Sequence, residues 1–339
     1  MFILWLVIIC VHQRLIVFIC VIWSRVLCVC IGVRPWLGKQ FDDMNLIVGA
    51  TGLVGGEICR RLAAQHHPVR ALVRPTGDAS RIEELRASGA ELATGDLKDA
   101  ASIKAACAGA QTVLSTASST LSRQPGDTID GVDRLGQLQL IAAAKAAGVK
   151  HFVYVSFSPF AEDFALQRAK REVEQALISS GMRYTILRPA FFMEIWLSPA
   201  LGFDVAARRA RIYGTGEKPI SWISFPNVAE FAVRSLDTPG AQNATFTLGG
   251  PEALTPIQVV RIFEELAGAP FTIEYVMEAV LKAAKTSSRR ALDEAFAALS
   301  LGYAQGEVID MREVLELMPV RLVSVREYAT WLLGQTANA

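Results

Sequence analysis

Charge of one sign is what this chain lacks: 34 Lys and Arg nearly cancel 33 Asp and Glu, leaving a net of +1. There is no basic stripe and no interleaving of basic with aromatic residues, which argues against nucleic-acid binding by charge. Cysteine is scarce where a framework would need it. Four of the six cysteines (Cys10, Cys20, Cys28, Cys30) fall in the first 43 residues, and only Cys59 and Cys107 lie beyond them. Two unmatched thiols in helical patterns exclude a disulfide scaffold and fit a reducing compartment. The four histidines, His12, His66, His67 and His151, have no spacing that builds a zinc site, so no metal is expected.

What the chain has in excess stands at its start. Residues 1–33 hold 27 apolar residues, broken by His12-Gln13-Arg14, Ser24-Arg25 and Gly32. Over 15–33, about a dozen Leu, Ile, Val and Phe at roughly −0.5 kcal/mol each outweigh one central Arg at roughly +3, enough to cross a bilayer. Arg34 and Lys39 on the C-terminal flank would then keep the body in the cytoplasm. A signal peptide fits less well, since residues 1–11 lack a basic start and no small-x-small site follows. A third reading is a stretch translated upstream of the true start, being rich in Cys and Trp and without helical period. All three stay open for the extension 1–43, with membrane contact expected only through residues 1–33. The body, with 30 basic and 31 acidic groups, is expected in the cytoplasm.

The most informative stretch begins directly after Met44. An apolar run (Leu46, Ile47, Val48) stops at Gly49, Gly52 and Gly55, and a helical pattern follows with Ile58, Leu62 and Ala63 on one face. A buried strand turning tightly into a helix N-terminus is the geometry that holds a dinucleotide pyrophosphate. Gly49 permits the turn, Gly52 lets backbone approach phosphate, and Gly55 lets the helix pack close to the sheet. Thr51, Leu53 and Val54 complete the loop that faces the anion, together with the positive end of the helix dipole.

Strand and helix patterns alternate through the first half, as a doubly wound parallel sheet requires. Strands are expected near 45–49, 68–73, 91–93, 112–116, 151–155, 184–188 and 244–248. Helices are expected near 55–66, 80–88, 100–108, 129–148 and 167–181. Right-handed crossovers then give the strand order 3-2-1-4-5-6, a Rossmann-type α/β fold. After Pro189 the alternation fails, and 191–235 and 252–335 read as mixed helix and loop. A nucleotide-binding core over 44–190 and a smaller C-terminal substrate lobe over 191–335, with a return strand near 244–248, follow from this.

A site for NAD usually places a carboxylate about 20 residues past the glycines, on the ribose 2′-OH. Here the second strand ends in Arg74, with no carboxylate until Asp78. A guanidinium matches a 2′-phosphate, so NADP(H) is the expected cofactor. The competing reading of Arg74 is a solvated arginine at a strand end.

The glycine spacing is G-x-x-G-x-x-G, one residue wider than the plain fingerprint. It resembles the extended and atypical short-chain dehydrogenase/reductases, in particular the NmrA-like branch with its isoflavone-reductase-like enzymes. Ala71-Leu72-Val73-Arg74, Gly95-Asp96-Leu97, Asp133-x-x-Gly136, His151-Phe152-Val153-Tyr154-Val155-Ser156 and Tyr184-Thr185-Ile186-Leu187-Arg188-Pro189 extend the resemblance over roughly 44–255. It implies that Asp96 and Leu97 flank the adenine, Ser115 and Thr116 line the cofactor, and Pro189 and Phe191 back the nicotinamide. Lys170 matches the lysine of the Tyr-x-x-x-Lys catalytic pair, but position 166 is Leu, so the usual acid/base is missing. Ser156 and Ser158 stand where the family's substrate-orienting serine lies. Local readings compete at each position: a Gly-Asp turn at Asp96, a surface ion pair of Lys170 with Glu174 at i, i+4, a Ser-Pro turn at Ser158, and core packing for Phe191 and Phe192.

The run Phe191–Leu197, with Phe157, Phe160 and Trp222, would line an apolar pocket for a small planar substrate such as a quinone or aromatic carbonyl, or else belong to the core. Two functions are carried forward: a reductase in which the cofactor supplies the hydride, and a non-catalytic NADP(H)-sensing regulator or assembly factor. A sugar-nucleotide epimerase is a weaker third, argued against by the missing tyrosine. Oligomeric state is not legible.

Overall fold

A computed structural model describes residues 7–11, 14–18, 44–122 and 124–337. The chain divides into two units, residues 1–40 and 41–339. In the first, strand β1 (Val7–Val11) pairs antiparallel with β2 (Arg14–Phe18). The bilayer span expected over 15–33 lies outside the described residues except for 15–18, which belong to β2. Among the described residues no helix is long and apolar enough to cross a membrane.

The second unit opens with β3 (Asn45–Val48), α1 (Leu53–Ala64), β4 (Val69–Val73), α2 (Ala79–Ala87), β5 (Glu91–Thr94), α3 (Ala100–Cys107) and β6 (Thr112–Ser115). A π-helical run, Ile129–Gly136, leads into α4 (Gln137–Ala146), followed by β7 (His151–Val155), α5 (Ala165–Ile178) and β8 (Arg183–Pro189). The remainder comprises α6 (Met193–Trp196), β9 (Phe203–Asp204), β10 (Arg209–Tyr213), α7 (Phe225–Asp237), β11 (Ala244–Leu248), α8 (Pro256–Ala267), β12 (Thr272–Val276), α9 (Glu278–Ser287), α10 (Ala291–Gln305), α11 (Arg312–Leu317) and α12 (Val325–Ala337).

Seven strands form one parallel sheet in the order β11-β8-β7-β6-β3-β4-β5. That is the expected 3-2-1-4-5-6 order with the return strand added at the far edge. Side chains alternate between faces along each strand, so the sheet carries two cores. Ile47, Leu114, Val153 and Leu187 meet Ile58 and Leu62 of α1 and Phe231 of α7. Leu46, Val48, Val113, Phe152 and Ile186 meet Ile103 of α3, Leu140 of α4 and Val173 of α5.

Two features differ from expectation. The helix near 129–148 begins as a π-helix rather than an α-helix. The stretch after Pro189 is not only helix and loop: β12, β10 and β9 form a second, three-stranded sheet. In β10, exposed Arg209 and Arg211 alternate with buried Ala210 and Ile212, too short a pattern to stand out in sequence. Trp222, Phe203 and Phe263 centre the apolar core of this lobe.

His151, at the start of β7, shows how the sheet treats a titratable group. It is buried, and its Nε2 lies 2.9 Å from Thr185 Oγ1, whose own proton goes to the Ala241 carbonyl. Burial first, then Arg183, depresses its pKa from 6.5 to about 4. The unfolded chain therefore takes up a proton that the folded chain refuses, and stability falls as pH drops from about 6.5 toward 4. The loss attributable to this residue is on the order of 3 kcal/mol. His151→Gln is expected to flatten that part of the stability profile in urea unfolding measured across this range. Identical slopes for both proteins would contradict the assignment.

Candidate functional site

The site grows from the end of β3. Gly49 adopts φ +88°, and a Cβ there would stand 2.7 Å from Thr116 Oγ1 and 2.8 Å from the Ala117 nitrogen. The Gly52 N–H closes the turn on the Gly49 carbonyl at 2.9 Å. Gly52 is the N-cap of α1 and offers no side-chain oxygen to the first-turn N–H groups, and no acidic residue stands in that turn. Orphan donors and a helix dipole thus face outward unscreened, which is what an anion requires. Gly55 is buried, and a Cβ on it would lie 2.2 Å from the Gly49 carbonyl oxygen. Only glycine lets α1 start so close beneath the strand.

A cavity of about 820 Å³ opens above this turn at the C-terminal ends of the strands. Gly49, Thr51, Gly52, Leu53 and Val54 line it, whereas Gly55 lies behind the turn and acts through packing. Arg74, Asp96, Leu97, Thr116, Ser156, Ser158, Lys170, Pro189 and Phe191 line it as well, so most of the expected site residues converge.

Ser115 does not join them. It is fully buried and donates from Oγ to Gln137 Oε1 at 2.8 Å, while Gln137 Nε2 donates to the Ala117 carbonyl at 3.1 Å. Neighbouring strand positions face opposite ways, so Thr116 reaches the cavity and Ser115 props the segment from behind. Asp96 stands in the turn that its local reading gave, its Oδ1 accepting from the Lys98 N–H at 2.8 Å, and the residue also lines the cavity.

Arg74 is not merely a solvated strand end. Its Nη1 lies 2.6 Å from Asp127 Oδ2, and Lys98 Nζ lies 2.5 Å from Asp127 Oδ1. Ser122 also donates to this carboxylate. Burial opposes the Asp127 charge, but the hydrogen bonds from Lys98, Ser122 and Arg74 outweigh it and hold the carboxyl below its usual range. Arg81 reaches back to the Thr51 carbonyl at 2.6 Å. Arg74 and Arg81 therefore line the cavity near the glycine turn, and Lys98 is joined to Arg74 through Asp127.

Lys170 does not make the surface pair with Glu174 that its competing local reading offered. It is only 3% exposed, and its Nζ sits 3.3 Å from Asp133 Oδ1 and 5.2 Å from the centroid of the Tyr154 ring. Glu174 instead pairs with Arg171 at 2.9 Å and Arg188 at 2.5 Å. Asp133 comes from the π-helical run and is fixed through Oδ2 by the backbone N–H and hydroxyl of Ser119 at 2.9 and 2.5 Å. Gly136 lets that run lie against Leu97, where a Cβ would meet Leu97 Cβ at 2.9 Å. Burial alone would drive Lys170 toward neutrality, but Tyr154 and Asp133 outweigh it, and its pKa is raised. The direction favours the ammonium form of Lys170.

The far end of the cavity is aromatic. Phe157, Phe160, Phe191, Phe192 and Trp196 line it, with ring centroids 5.7 Å apart for Phe157–Phe160 and 5.1 Å for Phe191–Trp196. Phe191 and Phe160 belong to apolar clusters too, so core and lining are one surface here. Trp222, Met193 and Leu197 are core only, and Trp222 Nε1 donates to the Leu254 carbonyl at 2.9 Å. Leu166 occupies the missing tyrosine's position, buried against the same cavity. The hydroxyl of Ser158 is committed to Glu307 Oε1, and Ser156 Oγ accepts a long bond, 3.4 Å, from Arg171.

Sequence reasoning missed Asp127, Lys98, Arg81 and Glu307. None sits in a recognisable spacing with its partner, since 53 residues separate Arg74 from Asp127 and 149 separate Ser158 from Glu307. Asp133 was visible only as part of the quoted Asp133-x-x-Gly136 pattern.

A Rossmann-type sheet with a glycine turn opening into a cationic and then aromatic cavity defines a dinucleotide-binding class of protein. The model of the NmrA-like family matches residues 42–329, and the chain belongs to that family. It is 32% identical over 280 residues to the NAD(P)H azoreductase of Xenophilus azovorans, covering 81% of this chain and 92% of the relative. It is 33% identical over 245 residues to a photosystem II assembly factor of Trieres chinensis, covering 70% and 73%. Among solved structures it resembles the NADPH-dependent quinone oxidoreductase of Escherichia coli in complex with NADPH. That likeness has a TM-score of 0.67 and 25% identity, over 86% of this chain and all of the other.

The burial of Lys170 makes a direct prediction. Removing one partner of a buried ion pair typically costs about 3–5 kcal/mol, because the other charge is left uncompensated. Lys170→Ala is expected to lose stability in that range in denaturant titration at neutral pH, and Lys170→Ala with Asp133→Ala less than the sum of the single changes. A loss of a few tenths of a kcal/mol would instead indicate a solvated pair.

Proposed function

We propose that the chain is an NADP(H)-dependent reductase of a small planar acceptor such as a quinone, an azo compound or an aromatic carbonyl. The observation that carries this reading is the single cavity running from the glycine turn to the aromatic lining, with Lys170 between. The residues fit the cofactor. The turn at Gly49 and Gly52 would hold the pyrophosphate, Arg74 and Lys98 a 2′-phosphate, and the Pro189–Phe191 segment the nicotinamide face. When bound, the dinucleotide supplies a hydride. The azoreductase and quinone oxidoreductase relatives support this chemistry.

Lys170 contributes a permanent positive charge rather than a proton. A buried ammonium with a raised pKa stabilises negative charge that develops beside it, in a setting where water screens little. Ser156 borders the same space, and the aromatic rings exclude water around a flat acceptor.

A second reading, a nucleotide-sensing regulator or assembly factor without turnover, is favoured by Leu166 and by the assembly-factor relative. The two separate in one assay: NADPH oxidation by the full chain against a panel of quinones, azo dyes and aromatic carbonyls. Turnover of a panel member supports the reductase, and tight NADPH binding without turnover supports the sensor.

Asp127 gives cofactor choice a testable form. Its carboxylate occupies the cations that a 2′-phosphate needs, so the phosphate must displace it. Arg74→Ala is expected to cost NADPH about 1.5–3 kcal/mol, the range for a charge-assisted hydrogen bond, with little effect on NADH. Asp127→Asn should tighten NADPH and leave NADH unchanged. Equal affinities of the unmodified protein for both cofactors in calorimetry would contradict the assignment.

A further inference from the structure

Reduction of a quinone, azo or carbonyl group by hydride leaves the product one proton short. The usual tyrosine is replaced by Leu166, and Lys170 is held as an ammonium by Asp133 beside it. Among the charged side chains lining the cavity, Arg74, Arg81, Asp96 and Asp127 belong to the network at the glycine turn, and Asp78 lies in the segment between the first two of them. Lys170 and Glu307 are the remaining two.

Glu307 is placed by backbone as well as by side chain. It follows Gly306, which adopts φ +73° at the end of α10 and whose Cβ would stand 2.6 Å from the Pro219 carbonyl oxygen. The Glu307 N–H donates to that carbonyl at 2.9 Å, and its own carbonyl accepts from the Ser221 N–H at 2.8 Å. Its side chain enters the cavity beside Ser158, whose N–H is bonded to the Pro189 carbonyl at 3.1 Å. Ser158 donates to Oε1, while Oε2 is buried and has no hydrogen-bond partner among the described residues. A buried carboxylate oxygen without a donor is costly, whereas a carboxylic O–H aimed at a bound acceptor is not.

We propose that Glu307 holds a proton on its free oxygen and delivers it to the reduced acceptor, with Ser158 as its positioning residue. The inference rests on the reductase reading above. The acceptor takes two electrons and one proton as hydride from the reduced nicotinamide, which is oxidised. The O–H bond at Glu307 breaks as the O–H or N–H bond of the product forms, and the carboxylate recovers its proton from bulk water. Burial raises the Glu307 pKa and the Ser158 hydroxyl lowers it, with a net rise, a direction that favours the acid form.

The test uses the full chain and two substitutions. Glu307→Gln preserves shape and a donor N–H but carries no transferable proton. It is expected to reduce turnover of menadione by about 100-fold or more, the low end for a positioned acid, with NADPH affinity unchanged. It should also remove the alkaline decline of turnover with pH. Ser158→Ala should move that decline to higher pH, because the hydroxyl favours the ionised form. Independent of turnover, an infrared difference spectrum at neutral pH should show a protonated-carboxyl band that is lost in Glu307→Gln. A folded Glu307→Gln protein with undiminished turnover and pH profile overturns the inference while leaving the reductase reading intact. If no acceptor is reduced, the reductase reading has failed and the proton delivery fails with it.

Discussion

The close approach of Gly55 to the carbonyl of Gly49 is the contact on which the functional half of the molecule depends. With no Cβ at position 55, α1 begins directly beneath the end of β3, and its N-terminus opens at the centre of the sheet. That centre is where the strand order reverses, with β4 on one side of β3 and β6 on the other. The reversal leaves a crevice between the connections that leave in opposite directions. Arg74 arrives from the end of β4, Thr116 from the end of β6, and Pro189 from the end of β8. Each position is a consequence of strand order once the glycine contact has fixed where the helix starts.

A second constraint is the buried ammonium of Lys170. It is tolerated because Asp133 and Tyr154 lie beside it, and Asp133 is itself tied to Ser119. The π-helical run widens the backbone where Asp133 must reach across, a device often met at functional sites. The arrangement separates two tasks that a Tyr-x-x-x-Lys pair combines. Fixed positive charge stays with Lys170, and a titratable acid, if the site is catalytic, has to come from another element. Under the proposal above, Glu307 brings that acid from the C-terminal lobe.

The sheet was legible in the sequence because its signals are local. Apolar runs such as Leu46-Ile47-Val48 end in glycine or turn residues, and every strand of the large sheet lies within two residues of its expected bounds. The glycine turn and the position of Arg74 at the end of β4 were legible for the same reason. Parity misled at Ser115, since a shift of one residue along a strand exchanges cavity for core. At Lys170 helical spacing offered only a competing reading, the pair with Glu174 four residues on, and that one fails: the helix turns Lys170 inward to Asp133 and gives Glu174 to two arginines. Asp127 and Glu307 left no trace because their partners are distant in sequence and are brought near only by the fold. The three-stranded sheet went unseen because its strands are short and one of its edges, β12, is largely exposed.

Whether the glycine turn cradles phosphate is decided by titrating NADPH calorimetrically into the full chain and into Gly52→Asp. Gly52 is exposed, a Cβ there would stand 3.1 Å from the Gly49 carbonyl oxygen, close but without overlap, and the carboxylate would stand among the donors meant for the pyrophosphate. Like charges brought together in this way cost several kcal/mol. The unmodified chain is expected to bind NADPH, and Gly52→Asp to bind it about 100-fold more weakly or worse, with an unchanged circular dichroism spectrum. Equal affinity in the folded variant would contradict the claim.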